Sequence, residues 1–339
     1  MADSIRHSSD IEASPASIAP FASDVQYYLA QQPRQLPSRY FYDALGSALF
    51  DAICRLPWYR ITTAELRLLA AHAREVFDKS RMSSIVELGG GSGEKLITLV
   101  ETGRRTARPL DVHLIDVSPS ALALSARAIA ALDDVRVFTH EAAYEAGLLE
   151  VGDLADGNGA QGAAPRGSGG PTLVLFLGSN IGNFDPPGAG AFLRGIRGAL
   201  ARGDMLLLGA DLVKPERDLL LAYDDPLGVT AAFNLNLLVR INRELGGDFD
   251  VAAFRHQAVW NGPDSRVEMH LVSRRRQRVH VPAAALEFEI GEGESIWTES
   301  SYKYEPERVV HMLEGGGFRT SAQWIDEADR FALTLVEAV

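Results

Sequence analysis

The chain has 339 residues with ordinary apolar and charged fractions, enough for one large domain or two that share a core. Its 45 acidic residues against 33 basic ones give a formal net charge of −12, which repels phosphate backbones and argues against nucleic acid as a partner. Cys54 is the only cysteine, so an internal disulfide and a Cys-rich metal site are excluded.

Residues 1–20, rich in Ser, Ala and Asp, read as a disordered leader that lacks the apolar run of a signal peptide. No stretch approaches the roughly 20 continuous apolar residues that span a bilayer. The expectation is a soluble, cytoplasmic chain with no membrane partner. Helix-like patterning follows in Asp24–Ala30. Over Tyr40–Leu56, Phe41, Leu45, Leu49, Phe50 and Ile53 recur at spacings near three and four, which predicts an amphipathic helix. Thr62-Thr63-Ala64-Glu65 resembles a capping box opening a helix over Leu66–Phe77.

The texture then alternates. Strands are predicted at Ile85–Leu88, Val112–Ile115, Val135–Thr139, Leu173–Leu177 and Asp204–Gly209. Helices are predicted at Glu94–Thr102, Pro119–Leu132 and Ala189–Leu200. Alternation of this kind implies a parallel, doubly wound sheet, although the pairing order is not legible. Gly152–Gly170 holds seven Gly and few apolar residues, and reads as a flexible insertion, either a tolerated loop or a lid. After Lys214 the pattern changes. Asp218–Tyr223 and Gly228–Leu245 look helical, and Phe254–Trp260, Arg266–Ser273, Arg278–Val281 and Leu286–Ile290 look like antiparallel strands. The chain closes with a helix over Pro306–Glu314 and strands at Phe318–Ile325 and Phe331–Val336.

Glu87-Leu88-Gly89-Gly90-Gly91-Ser92-Gly93 leaves a strand and enters a helix. Glycines allow the tight turn and a close approach of backbone to ligand. Asp116 ends the next strand, where a carboxylate commonly holds the hydroxyls of an adenosine ribose. Gly89, Gly91 and Gly93 give GxGxG rather than the GxGxxG of pyrophosphate cofactors. Glu94 at the helix start opposes a pyrophosphate electrostatically. S-adenosylmethionine (SAM) carries no phosphate, and Lys95 is placed to help its carboxylate. His113, His140, His256 and His270 show no metal-ligand spacing, so no metal is expected.

Arg39–Asp43, Gly46-Ser47, Leu49–Asp51, Leu56–Tyr59, Val86–Lys95, Phe176–Asn183, Asp211–Lys214, Ala222–Asp225 with Gly228–Asn234, Arg266–Met269 and Thr298–Ser301 together resemble one family. It is that of the L-histidine Nα-methyltransferases of ergothioneine biosynthesis. The likeness runs from about Pro37 to the C-terminus apart from the Gly-rich insertion. Fungal N-methyltransferases of prenylated tryptophan share much of the pattern. The resemblance implies a Rossmann-like SAM methyltransferase sheet with a terminal antiparallel strand pair, over residues 64–213 and 304–339. It implies a second, substrate-binding α+β domain, over residues 21–63 and 214–303. It also implies three methyl transfers onto the α-amino group of histidine, giving hercynine, in a monomer whose partner is a free amino acid. It assigns Tyr59, Gly178, Asn183, Tyr223, Met269, Glu299 and Ser301 to the acceptor, with Tyr59, Asn183 and Tyr223 at the reacting end and Glu299 and Ser301 at the imidazole. Tyr42, Gly89, Gly91, Lys95, Asp116 and Tyr144 fall to SAM. The chain departs from the pattern after Tyr59, where Arg60-Ile61-Thr62-Thr63 stands in place of an expected Tyr-Pro-Thr-Arg, and at the adenine position near Ala143-Tyr144.

The residue types suit the chemistry. Methyl transfer is an in-line displacement that needs a neutral, aligned amine, so positioning supplies much of the rate. Asn183 can orient the amine without adding charge, and tyrosine faces attract a quaternary ammonium by roughly 0.5–2 kcal/mol. A Glu299 carboxylate accepts an imidazole N–H and Ser301 serves the other nitrogen, a pair that an indole cannot satisfy. Three other readings stay open: methylation of another aromatic amino acid, a nicotinamide-dependent oxidoreductase, and a non-catalytic SAM-binding protein. Solvated or core roles for Glu299, Tyr59, Tyr223 and Met269 are the plain alternatives.

Overall fold

The computed structural model describes residues 15–105, 108–155 and 170–339. The chain enters on helix α1 (Pro15–Leu29), so the end of the expected leader is helical; the rest of it lies outside the described residues. Phe21, Val25 and Leu29, spaced by four, bury that helix's apolar stripe. A two-residue strand β1 (Arg34–Gln35) and a 3-10 turn (Ser38–Phe41) precede α2 (Ala44–Ile53). The single helix expected over Tyr40–Leu56 is therefore broken. Asp43 interrupts it as an N-cap, its carboxylate accepting the Gly46 amide at 2.7 Å.

Helix α3 (Ile61–Ser80) starts at Ile61 with no side-chain cap, so the capping box expected at Thr62–Glu65 does not form. The alternating region follows: β2 (Ser84–Leu88), α4 (Glu94–Gly103), β3 (Leu110–Asp116), α5 (Pro119–Ile129), β4 (Val135–Glu141), α6 (Tyr144–Ala155), β5 (Thr172–Phe176), α7 (Pro186–Ala199) and β6 (Met205–Asp211). Helix α6 occupies the start of the segment expected as a flexible insertion, and residues 156–169 of that segment lie outside the described residues.

The rest is α8 (Glu216–Tyr223), α9 (Val229–Leu245), β7 (Phe254–Asn261), β8 (Arg266–Ser273), β9 (Gln277–Val281), β10 (Leu286–Ile290), β11 (Ser295–Tyr302), α10 (Pro306–Gly315), β12 (Phe318–Asp326) and β13 (Phe331–Ala338). The central sheet runs β12-β13-β6-β5-β2-β3-β4. Strands β2 to β6 are parallel, and β13 lies antiparallel between β6 and β12. This is the Rossmann-like sheet with a terminal antiparallel pair that the resemblance implied. Strands β2, β5 and β6 are buried along their whole length, as parallel strands covered on both faces must be. Because β2 has β3 on one side and β5 on the other, the loops leaving their carboxyl ends open a crevice there.

The expected antiparallel strands split in two. One sheet runs β1-β11-β8-β7, and β9 pairs with β10 separately. Strand β1 joins the first sheet parallel to β11, tying the N-terminal segment to residues some 260 positions later. Helix α2 rests on α9. Asp43 fixes that contact by accepting from Asn236 at 2.8 Å and pairing with Arg243 at 2.7 Å. No described helix is long and apolar enough to cross a membrane.

Candidate active site

The Gly-rich loop leaves β2 with Gly89, Gly91 and Gly93 all at left-handed φ of +72°, +56° and +78°. A Cβ on Gly89 would lie 2.5 Å from the Tyr144 hydroxyl, so a side chain there would collide as well as strain the backbone. Asp116 ends β3 and accepts the Ser118 amide at 2.9 Å. Burial raises its carboxyl, against the pull of the Ser118 and Val117 amides.

Lys95 is not a solvated helix lysine. Its ammonium lies 2.7 Å from Glu65, a carboxylate with no exposed surface. Burial lowers Lys95, and the Glu65 charge outweighs it and carries the group above its usual range. Both Glu65 oxygens also accept the Gly178 amide at 2.9 Å. Glu87, under the loop, is buried with Oε2 lacking a partner among the described residues. Burial pushes Glu87 up to about 7, against the pull of Lys95 and with the repulsion of Glu65 and Asp116. Two carboxylates, Glu65 and Glu87, thus act on Lys95, and Asp116 adds a third negative group near Glu87. The loop suits a ligand bearing positive charge, such as the ammonium and sulfonium of SAM, and opposes a pyrophosphate.

After β5 the chain turns through two successive left-handed residues, Gly178 (φ +78°) and Ser179 (φ +59°). Ser179 Oγ accepts the Asp211 amide at 2.9 Å, which holds the turn against β6. The following 3-10 turn, Asn180–Asn183, is pinned by the Tyr304 hydroxyl donating to the Ile181 carbonyl at 3.2 Å.

Beside this turn lies a pocket with about 480 Å³ of empty space, open solvent at its mouth included. Tyr59, Gly178, Asn183, Tyr223, Met269, Glu299 and Ser301 all line it, as does Tyr42. The acceptor residues expected from sequence, scattered over some 240 positions, therefore meet in one place. Gly89, Gly91, Lys95, Asp116 and Tyr144 are not in its wall; they gather at the ends of β2 and β3. Tyr42 lies between the two groups. Burial raises it well above its usual value, followed by the charges of Glu299 on one side and Tyr144 and Asp116 on the other.

An aromatic wall runs along one side. Phe233 meets Tyr42 and Phe50 at ring-centroid distances of 5.8 and 5.9 Å, Phe50 meets Tyr59 at 6.2 Å, and Tyr59 meets Tyr223 edge-on at 6.3 Å. The opposite side is β11. Its register slips between Trp297 and Glu299, a bulge that re-aims the strand. Beyond the bulge Glu299 and Ser301 share one face at period two. Met269 pairs with Glu299 across β8 and is buried. Burial pushes the Glu299 carboxyl up to about 7, offset by Lys303. An N–H donor entering the cavity finds an enclosed carboxylate rather than a solvated strand charge.

A family model described as histidine-specific, SAM-dependent methyltransferase matches residues 21–338. The chain belongs to that family. The histidine N-alpha-methyltransferase of Mycobacterium tuberculosis (strain CDC 1551 / Oshkosh) is 42% identical over 313 residues, covering 92% of this chain and 93% of that protein. The enzyme of the same name from Mycolicibacterium smegmatis (strain ATCC 700084 / mc(2)155) is 40% identical, with the same coverage. A 4-dimethylallyltryptophan N-methyltransferase of Epichloe festucae var. lolii is 27% identical, covering 88% of this chain and 89% of its own.

Two residues of this methyltransferase were missed from sequence. Glu65 was read as a local cap, yet it joins Lys95 to Gly178. Lys303 was not singled out, although Glu299, Ser301 and Lys303 follow one another at period two, the spacing that puts side chains on one face of a strand. Lys303 is buried, and its ammonium donates to Tyr223 Oη at 2.9 Å and Ser301 Oγ at 3.0 Å. It pairs with buried Asp211 at 2.9 Å. Arg60, where the family pattern differs, pairs with Asp329 at 3.1 Å on the surface.

Proposed function

We propose that this methyltransferase transfers methyl groups from SAM to the α-amino group of L-histidine, three in succession, giving hercynine. The Glu299 carboxyl and Ser301 hydroxyl, side by side on β11 in the cavity wall, carry this reading. A carboxylate accepts one imidazole N–H while a hydroxyl serves the second nitrogen. An indole offers one N–H and leaves the other polar group unmet, at a cost of about 1–3 kcal/mol.

SAM, when bound, supplies an electrophilic methyl on its sulfonium. The residues that would hold it are Gly89, Gly91, Asp116, Tyr144 and Tyr42, with Glu87 meeting its ammonium and Lys95 its carboxylate. The chain's own task is to hold a neutral amine in line. Asn183, at the end of the turn after β5, orients the amine through its amide oxygen. Tyr59 and Tyr223 enclose that end without adding charge. Their faces favour the permanently cationic trimethylated product by roughly 0.5–2 kcal/mol. Tyr59, Tyr223, Met269, Glu299 and Ser301 of the acceptor side come from residues 21–63 and 214–303, whereas Gly178 and Asn183 come from 64–213 with most of the donor side, so transfer occurs where the two meet.

The test is incubation with SAM and each amino acid in turn, followed by mass measurement of the products. Histidine heavier by three methyl groups is expected. Absence of methylated histidine, or faster turnover of a tryptophan derivative, overturns the proposal.

A further inference from the structure

The ring end of the cavity contains a closed set of hydrogen bonds whose directions are constrained by one residue. Lys303 Nζ has three protons and no lone pair. It lies 2.9 Å from Asp211 Oδ2, 2.9 Å from Tyr223 Oη and 3.0 Å from Ser301 Oγ. Tyr223 Oη in turn donates to Ser301 Oγ at 2.8 Å. Ser301 Oγ therefore accepts twice, from Lys303 and from Tyr223, and both its lone pairs are engaged. Its own proton has no place left inside the cluster.

In the direction found the outward donor is Ser301; were the Tyr223–Ser301 bond reversed, the outward proton would be that of Tyr223 and Ser301 would keep one free lone pair. Lys303 still donates to both oxygens, and the two hydroxyls still hold two protons for one bond between them. One proton must leave the cluster, and both residues line the cavity. A neutral residue at 303 would lift this restriction and let Ser301 turn a lone pair toward the cavity instead.

We propose that Lys303 is a positioning residue that sets the proton direction of the ring pocket. It obliges the Tyr223–Ser301 pair to present a donor, so that the site selects a neutral imidazole by the bare lone pair of its second nitrogen. This rests on the reading of Glu299 and Ser301 as the ring contacts. The two walls are then of opposite kind. Glu299 reads the ring N–H and Ser301 reads the ring lone pair, so an imidazolium, with two N–H groups, meets a donor facing a donor. Asp211 keeps the lysine charged and in place, and Lys214, 2.6 Å from Asp211 Oδ1, holds that carboxylate from its other side.

The experiment compares histidine with 3-pyrrolylalanine, which keeps a ring N–H but has no second nitrogen. The wild-type enzyme is expected to prefer histidine in kcat/KM by at least about 100-fold, as sites built around a hydrogen bond do. Ser301→Ala and Lys303→Met should each bring the preference to within about tenfold, chiefly through KM for histidine. Lys303→Arg, which keeps the donors, should retain more of it than Lys303→Met. Affinity for S-adenosylhomocysteine, measured by calorimetry, should stay at the wild-type level in Lys303→Met and shows that the fold survives. A folded Lys303→Met enzyme with the wild-type preference overturns the proposal while leaving the ring contacts standing. An unchanged preference in Ser301→Ala removes the ring contacts themselves, and this inference with them. A second measurement needs no variant. Ring-15N histidine bound to the wild-type enzyme with S-adenosylhomocysteine at pH 6, where free imidazole is largely protonated, should show one protonated and one bare nitrogen. A bound imidazolium overturns the proposal.

Discussion

Glu65 and Lys95 form a buried ion pair at 2.7 Å, and the same carboxylate accepts the Gly178 amide with both oxygens at 2.9 Å. One side chain from α3 thus ties the helix after the Gly-rich loop to the turn that leads to Asn183. The donor and acceptor loops share a strut, and a change at Glu65 should be felt in both.

Glu65→Gln leaves the Lys95 ammonium enclosed without its counter-charge. Breaking a buried pair from one side costs about 3–5 kcal/mol. With Lys95 about one-fifth exposed, the lower end, about 3 kcal/mol, is expected in urea unfolding. The double change Glu65→Gln with Lys95→Met should recover part of the loss, because no unpaired charge remains. A Glu65→Gln loss below about 1 kcal/mol would show that the pair is solvated in practice.

Glu87 makes stability depend on pH in a defined direction. Its carboxyl holds a proton up to about pH 7 when folded, against an ordinary value of 4.5. Between those values the folded chain carries the extra proton, so stability falls as pH rises through the window. The upper limit is about 1.4 kcal/mol per pH unit for one group. Glu299 acts in the same direction over the same window. Glu87→Gln should therefore flatten the slope partly, not wholly. A cationic ligand favours the ionised form, so SAM binding near pH 6 should release a proton in the wild type and not in Glu87→Gln. Calorimetry in two buffers of different ionisation enthalpy reads this directly. Equal proton release in both proteins would exclude Glu87 as the source.

Glu299→Ala removes the acceptor of the ring N–H and leaves apolar space beside Met269. A hydrogen bond to a charged group contributes about 1.5–3 kcal/mol, so kcat/KM for histidine should fall by about 10- to 150-fold. Turnover of tryptophan should rise relative to histidine, since an indole no longer confronts an enclosed carboxylate. Glu299→Gln keeps an acceptor oxygen and should fall between. If the ratio of histidine to tryptophan turnover is unchanged in Glu299→Ala, the carboxylate does not choose the ring.

The strands of the central sheet and the Gly-rich loop were legible because each is a local pattern: an apolar run, a turn, a helix. The cavity residues were legible only through resemblance, since nothing local brings Tyr59 and Glu299 together. What stayed hidden has a physical reason in each case. Thr62–Glu65 matched a cap pattern, yet helix α3 begins too early for it, and Glu65 points to a partner 113 positions away. Strand β11 was not predicted as an element because its bulge after Trp297 shifts the alternation midway. Strand β1 has two residues, too few for a period. The break before α2 follows from Asp43, whose capping bond depends on a turn that an apolar count does not see.

Gly209 is the final test of the strut, because its role is purely one of space. It lies in β6, opposite Leu333 of β13, and a Cβ built on it would fall 1.9 Å from Glu65 Oε1 and 3.0 Å from the Phe331 ring. Backbone on both sides leaves the strand no room to retreat, so Gly209→Ala must displace the Glu65 carboxylate. Overpacking of this kind costs about 1–3 kcal/mol. The displaced carboxylate also releases the Gly178 amide, so KM for the acceptor should rise along with the dissociation constant for SAM. Glu65→Ala with Gly209→Ala should then be no worse than the more severe single change, since the methyl fills space that the carboxylate has left. Two costs that simply add, outside about 0.5 kcal/mol of error, would mean that the glycine and the carboxylate act independently.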